Sequence, residues 1–243
     1  MIQKLQKLSH LLKNSQQTPA TYNASLPILI RVIQKLKGDM YLLQIGAQQM
    51  QTKSHKALIV GERYWGEMGR SSLGHITLHN LILQPKILDF FQNAPLKLSL
   101  QDLQTLGEQS DIFEGFKEFI AHKLTQASSK EEFLFLSNIL LGLKSGVLSL
   151  VIGEKDEILQ IKKYASNKVR FSAIMPLLGI ISGDIGIYKS GNTLDIKVLY
   201  ETTKAVLENN LNILKGFKVS KISIDTNLSA LYEFKESLLD VRG

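Results

Sequence analysis

The chain has 243 residues, 44% hydrophobic and 21% charged, with a formal net charge of +7 and no cysteine. That length buries a sizeable core, and the absence of cysteine excludes disulfides and thiolate metal sites. No apolar run reaches the ~18 residues that cross a bilayer as a helix, and MIQKLQKLSHLLKNSQQTPA lacks the apolar block of a secretory leader. A cytoplasmic protein is expected.

The charge is uneven. Residues 1–85 carry a net +7, residues 86–143 a net −3 and residues 144–243 a net +3. The basic character therefore lies in the first third.

Residues 2–14 read as a short helix, with Leu5, Leu8 and Leu12 at helical spacing, and the polar run NSQQTPATYNAS reads as a linker. From Ile28 the period becomes two: Ile28, Ile30 and Val32 alternate with Leu29, Arg31 and Ile33. MYLLQIG, QQMQTKS, ERYWGEM and HITLHNLIL continue the pattern between glycine-marked turns. Five short strands in about 60 residues predict a small closed or nearly closed β-barrel over 24–85, after an N-terminal helix and linker over 1–23.

Helical spacing takes over near Pro85. KILDFFQN and Leu98–Leu106 are short helices, and Ile112, Phe113, Phe116, Phe119 and Ile120 stripe one face of a longer one. Ser129 with Glu132 is a capping box opening another, and Gly146 closes this helical segment, 86–143.

Strand patterns return in VLSLVIG, ILQIKKY and KVRFSAIM, with Glu154, Asp156 and Glu157 expected at a solvated hairpin tip. Gly183–Tyr188 and Thr193–Val198 predict a hairpin turning at Gly191. Thr203, Leu207, Leu211 and Leu214 predict one helix face against the sheet, Gly216 its C-cap, and KVSKISI a returning strand. Residues 144–243 thus form a two-layer α/β domain, and the whole chain an α+β fold.

Catalytic and metal chemistry find no pattern. His75 and His79 flank a strand-like run that sets them about 13 Å apart. Asp184 reads as a turn residue, and GRSSLG lacks nucleophile-elbow spacing. No enzyme activity, cofactor or metal is expected.

Pro176, Leu178 and Gly179, the Gly191 turn, Leu194, Ile196 and Val198, the helix with Leu207, Leu211 and Leu214, and the strand after Gly216 come in a suggestive order. In it this stretch resembles the C-terminal domain of flagellar hook-length control proteins. GDMYLLQIGAQQMQTKSHKALIVGERYWGEM resembles small barrel modules ahead of that domain in some relatives. The resemblance implies a non-enzymatic interaction protein of the flagellar type III export system, at the export apparatus. Its partner would be the cytoplasmic domain of an export-gate protein. No long Gln/Pro/Ser-rich region precedes the resembling stretch, so a short paralogue without the ruler region is expected. The expected contact surface is Pro176, Leu177, Leu178 and Gly179, since proline holds the chain at a sheet margin. An alternative remains open. The basic barrel of 24–85, with Arg31, Lys35, Lys53, Lys56, Arg63 and Trp65, would bind nucleic acid by phosphate contacts and base stacking, with Tyr41 as a second aromatic.

Overall fold

A computed structural model describes residues 26–70, 72, 76–91, 94–108, 111–153 and 157–236. The expected helix at 2–14, His75, Glu154 and Asp156 lie outside them. Among the described residues the fold is mixed α+β, with two sheets and five α-helices.

The first sheet contains β1 (Ile28–Lys35), β2 (Met40–Ile45), β3 (Gln48–Lys53), β4 (Arg63–Arg70) and β5 (Ile76–Leu83). Its order is β3-β2-β1-β4-β5, and every pair is antiparallel. Alternation decides which face is apolar. Ile28, Ile30 and Val32 of β1 cluster with Tyr41, Leu43 and Ile45 of β2, Tyr64 of β4, and Leu58 from the β3–β4 connection. Met50, Met68, Leu78 and Leu81 add β3 and β5 to the same cluster. Among the described residues the cluster is built from the sheet's own strands and the β3–β4 connection, with no helix contributing. Irregular register at Val32/Gln34 and Trp65/Glu67 bends the sheet's strands. The β2–β3 turn needs Gly46, whose φ of +58° suits glycine. A closed barrel requires a β3–β5 ladder, and none occurs among the described strand pairs. Among the described residues the sheet is open at that seam.

The helices are α1 (Ile87–Phe91), α2 (Leu100–Gly107), α3 (Ile112–Thr125) and α4 (Lys130–Lys144). Their starts follow capping chemistry. Ser99 and Asp102 form a reciprocal capping box on α2, and the Asp111 carboxylate accepts two N–H groups on α3. Ser129 Oγ accepts the Glu132 N–H at 3.0 Å, as expected, but the Glu132 carboxylate reaches the Ser128 N–H at 2.8 Å, one residue earlier than a standard box. On α3, Phe116 and Ile120 are buried while Phe119 is exposed, so the core-facing stripe is narrower than its hydrophobicity suggests.

The second sheet contains β6 (Val147–Ile152), β7 (Glu157–Ala165), β8 (Lys168–Met175), β9 (Gly179–Gly186), β10 (Asn192–Val198) and β11 (Phe217–Ile224). It runs β11-β10-β9-β8-β7-β6. All neighbours are antiparallel except β10 and β11, which are parallel. A parallel pair needs a crossover, and α5 (Glu201–Asn209) with a 3₁₀ turn at Leu211–Ile213 provides it. Here the expected helix face is corrected. Thr203 is buried and Leu207 packs on the sheet, but Leu211 and Leu214 are 36% and 39% exposed. The α-helix ends at Asn209, and the Asn210 side chain donates to the Val206 carbonyl at 2.8 Å. The tighter 3₁₀ turn then breaks the 3.6-residue phase. Positions i+8 and i+11 no longer share the face of Thr203.

One apolar cluster joins all of this. It holds Trp65 of β4, Phe91, Phe116 and Phe135 of the helices, Ile158, Ile174 and Ile180 of the second sheet, and Tyr200 and Phe234. Residues 226–236 complete it by running across the second sheet. Gln160 and Asn138 hold that segment through their amides, which hydrogen-bond backbone groups of Leu231, Tyr232 and Lys235.

Candidate functional site

The Pro176–Gly179 turn is placed by the β8–β9 hairpin, whose last pair is Met175 with Gly179. Proline has no N–H for a ladder and sits in the turn itself. Gly179 has φ +79°, and a Cβ there would meet Leu199 Cδ1 at 3.2 Å. Two carbonyls of the turn are tied down. That of Pro176 accepts the Trp65 indole N–H at 2.9 Å, and that of Leu178 accepts the Thr203 hydroxyl at 2.9 Å. Leu178 packs on the apolar face shared with Leu207. Leu177 alone projects, 60% exposed. Of the four residues expected to meet a partner, Gly179 is buried, Pro176 and Leu178 are half-buried, and Leu177 is exposed.

Next to this turn lies a polar cluster joining the first sheet to α5. The buried Glu67 of β4 accepts from Asn80 Nδ2 at 2.6 Å and from the Thr202 hydroxyl at 3.2 Å. His79 Nε2 stands 3.8 Å from the same carboxylate. Asn80 has φ +52°, a left-handed conformation asparagine tolerates, where β5 carries an extra residue against β4. Tyr200 is buried, and among the described residues its hydroxyl has no hydrogen-bond partner. Burial, and then the charge of Glu67, push that hydroxyl well above the usual tyrosine range. The sequence reading missed this cluster.

The open seam of the first sheet forms a cleft of about 350 Å³, near the lower end for ligand pockets. Leu43 and Leu58 lie at its apolar base, and Lys53, His55, Lys56 and His79 line it with no carboxylate among the lining residues. Lys56 Nζ donates to the Leu81 carbonyl at 3.0 Å, reaching from one side of the seam to the other.

The residues expected to contact nucleic acid do not form one surface. Lys53 and Lys56 share the cleft. Lys35 is exposed elsewhere, its Nζ 5.9 Å from the Tyr41 ring centre. Arg31 and Arg63 are cross-strand neighbours on the other face, and Arg63 is ion-paired with Asp89. Trp65 is 0% exposed within the main core, so its ring is no stacking platform; Tyr41 is buried too. Trp65 packs instead with residues of the helices and the second sheet. Asp184 is likewise corrected from turn to strand: it lies in β9 and binds Arg170 through two hydrogen bonds of 2.8 and 3.2 Å.

Among the described residues, no group of three or more His, Asp or Glu side chains is placed to hold a metal ion. No helix there is long and apolar enough to cross a membrane. No protein-family model, curated protein or solved structure matches the chain.

Proposed function

We propose that this chain is a non-enzymatic interaction protein of the flagellar export apparatus, working on its cytoplasmic side. It docks on the cytoplasmic domain of an export-gate protein through the Pro176–Gly179 turn. In the same reading the first sheet is a small β-barrel left open at one seam, and residues 144–243 are the module that resembles hook-length control proteins. The observation that carries the proposal is Leu177. A large aliphatic side chain, 60% exposed, stands on a turn whose neighbours are held by Trp65 and Thr203. Such a rigid, projecting apolar group gains from a partner what it lacks at home, and a pre-ordered turn loses little entropy on docking.

Covering Leu177 is worth about 1.5–3 kcal/mol, or roughly tenfold or more in affinity. Titration of the full chain against the gate domain, followed by NMR, should give a dissociation constant in the micromolar range (about 8 kcal/mol). Leu177→Asp should weaken binding at least about tenfold without changing the unfolding midpoint. Absence of any chemical-shift change with both proteins folded refutes the partner. Binding indifferent to Leu177→Asp refutes the surface.

A further inference from the structure

The seam between β3 and β5 has two features that are independent of the turn at Pro176. Both flanking strands end the sheet, so among the described residues neither has a strand neighbour on its outer side. Such edges present N–H and C=O groups that an added strand satisfies; on β5 the Leu81 carbonyl is already taken by Lys56 Nζ, which an incoming strand would displace. The cleft between them runs along five consecutive residues of β5, Thr77 to Leu81, and reaches Lys53 at the end of β3. Its base is apolar and its rim is basic.

We propose that this seam takes an extended, acidic peptide segment of a partner protein, added as a sixth strand. Strand periodicity supplies the recognition: alternate side chains turn down onto Leu43 and Leu58, and the intervening ones turn out toward Lys53, His55, Lys56 and His79. The lining holds no carboxylate. Glu67, which approaches His79, is itself engaged by Asn80 and Thr202. An acidic strand therefore finds Lys53 to pair with, and Lys56 once it leaves the Leu81 carbonyl, with no like charge on the rim.

Charge also rejects the other occupants. Residues 1–25 carry three lysines and no carboxylate, so the chain's own N-terminal segment is repelled by Lys53 and Lys56. A second copy of a chain with net charge +7 meets the same repulsion. Lysines at a sheet edge ordinarily guard against self-pairing; here they guard against basic strands and admit an acidic one. Nucleic acid is also anionic, but the aromatics that would stack on bases, Tyr41 and Trp65, are both buried.

The test uses the full chain and three probes of ten units each: alternating valine and glutamate, alternating valine and lysine, and oligothymidylate. Calorimetry should show binding of the glutamate peptide, and none of the lysine peptide. Methylating alternate amide nitrogens of the glutamate peptide should abolish binding, because the ladder needs those N–H groups. Lys53→Glu should weaken binding about tenfold or more, whereas Arg31→Glu, on the other face, should leave it unchanged. Both residues are exposed strand positions, and an unaltered circular dichroism melt for each variant confirms the fold. Bound peptide should slow amide exchange in residues 77–81. Tighter binding of oligothymidylate than of the glutamate peptide overturns the proposal in favour of nucleic acid. Glutamate-peptide binding that ignores Lys53→Glu, or that leaves exchange at 77–81 unchanged, overturns it outright.

Discussion

Gln160 is the position where one substitution tests most of the architecture. It is 0% exposed in the middle of β7. Its Oε1 accepts the Leu231 N–H at 2.7 Å and the Tyr232 N–H at 3.2 Å. Its Nε2 donates to the Tyr232 carbonyl at 2.8 Å and to Ser149 Oγ at 3.1 Å. The side-chain amide thus stands in for a neighbouring backbone, giving the crossing segment a ladder it has no strand to make.

Gln160→Leu keeps the approximate size and orphans three backbone groups. Each buried unsatisfied group costs about 1–3 kcal/mol, and partial access of water puts these toward the lower limit, about 3–4 kcal/mol together. Burying the leucine returns about 1–2 kcal/mol. A net loss of about 2 kcal/mol remains, and a urea slope of roughly 2 kcal/mol per molar turns it into a midpoint shift of about 1 M. Urea denaturation reads the loss. Amide exchange reads its location, since Leu231 and Tyr232 should lose protection before the strands of the sheet do. Gln101→Leu, exposed on α2, is the control and should stay within about 0.5 kcal/mol of the parent. A Gln160→Leu shift below about 0.3 M, or unchanged exchange at 231 and 232, would refute the assignment of Gln160 as the anchor.

Trp65→Ala should cost about 3–5 kcal/mol, because it opens a cavity in the shared core and frees the Pro176 carbonyl; a differential scanning melt checks this, and a loss under 1 kcal/mol refutes the junction. Trp65 is the chain's single tryptophan, so blue-shifted native emission that moves to the red on unfolding should report the same burial. The Asp102 carboxyl is held below its usual range by the Ser99 hydroxyl and then the Ser99 N–H; Glu132 is lowered by the Ser128 N–H and then its hydroxyl. A carboxyl lowered by folding stabilises above its unfolded value, near 4, and loses that contribution as pH falls through the folded value. Asp102→Asn with Glu132→Gln should therefore flatten the fall of melting temperature below about pH 4, and an unchanged acid limb would contradict the caps.

Much of the second sheet is readable from the sequence because its strands keep period two and most of its turns carry a glycine (Gly153, Gly179 and Gly191). Register is decided locally there, since a slip by one residue would turn Ile181, Leu194 and Ile196 out of their cluster. The helix face failed at Leu211 for an equally local reason. Four apolar residues at helical spacing describe a face only while the helix lasts, and the Asn209–Asn210 pair ends it. The first sheet is a harder case. Its five strands follow from alternation, but closure depends on whether β3 and β5 meet, and no residue in either strand encodes that distance.

The candidate sites were less legible than the strands, because their polar groups come together only through the tertiary fold. Glu67 and Thr202 are 135 positions apart, and Trp65 and the Pro176 carbonyl 111 apart. Nothing in the spacing around Glu67 or Gln160 singles either residue out. Both are buried, and both remain tolerable because partners satisfy them. A buried amide or carboxylate has no composition or spacing of its own, so periodicity assigns it to solvent by default. At Pro176 and Leu178 the backbone carbonyls are taken by Trp65 and Thr203, which no local pattern announces. Leu177 survives as a candidate because its two neighbours were taken, which is a property of the packed turn and not of the Pro-Leu-Leu-Gly string.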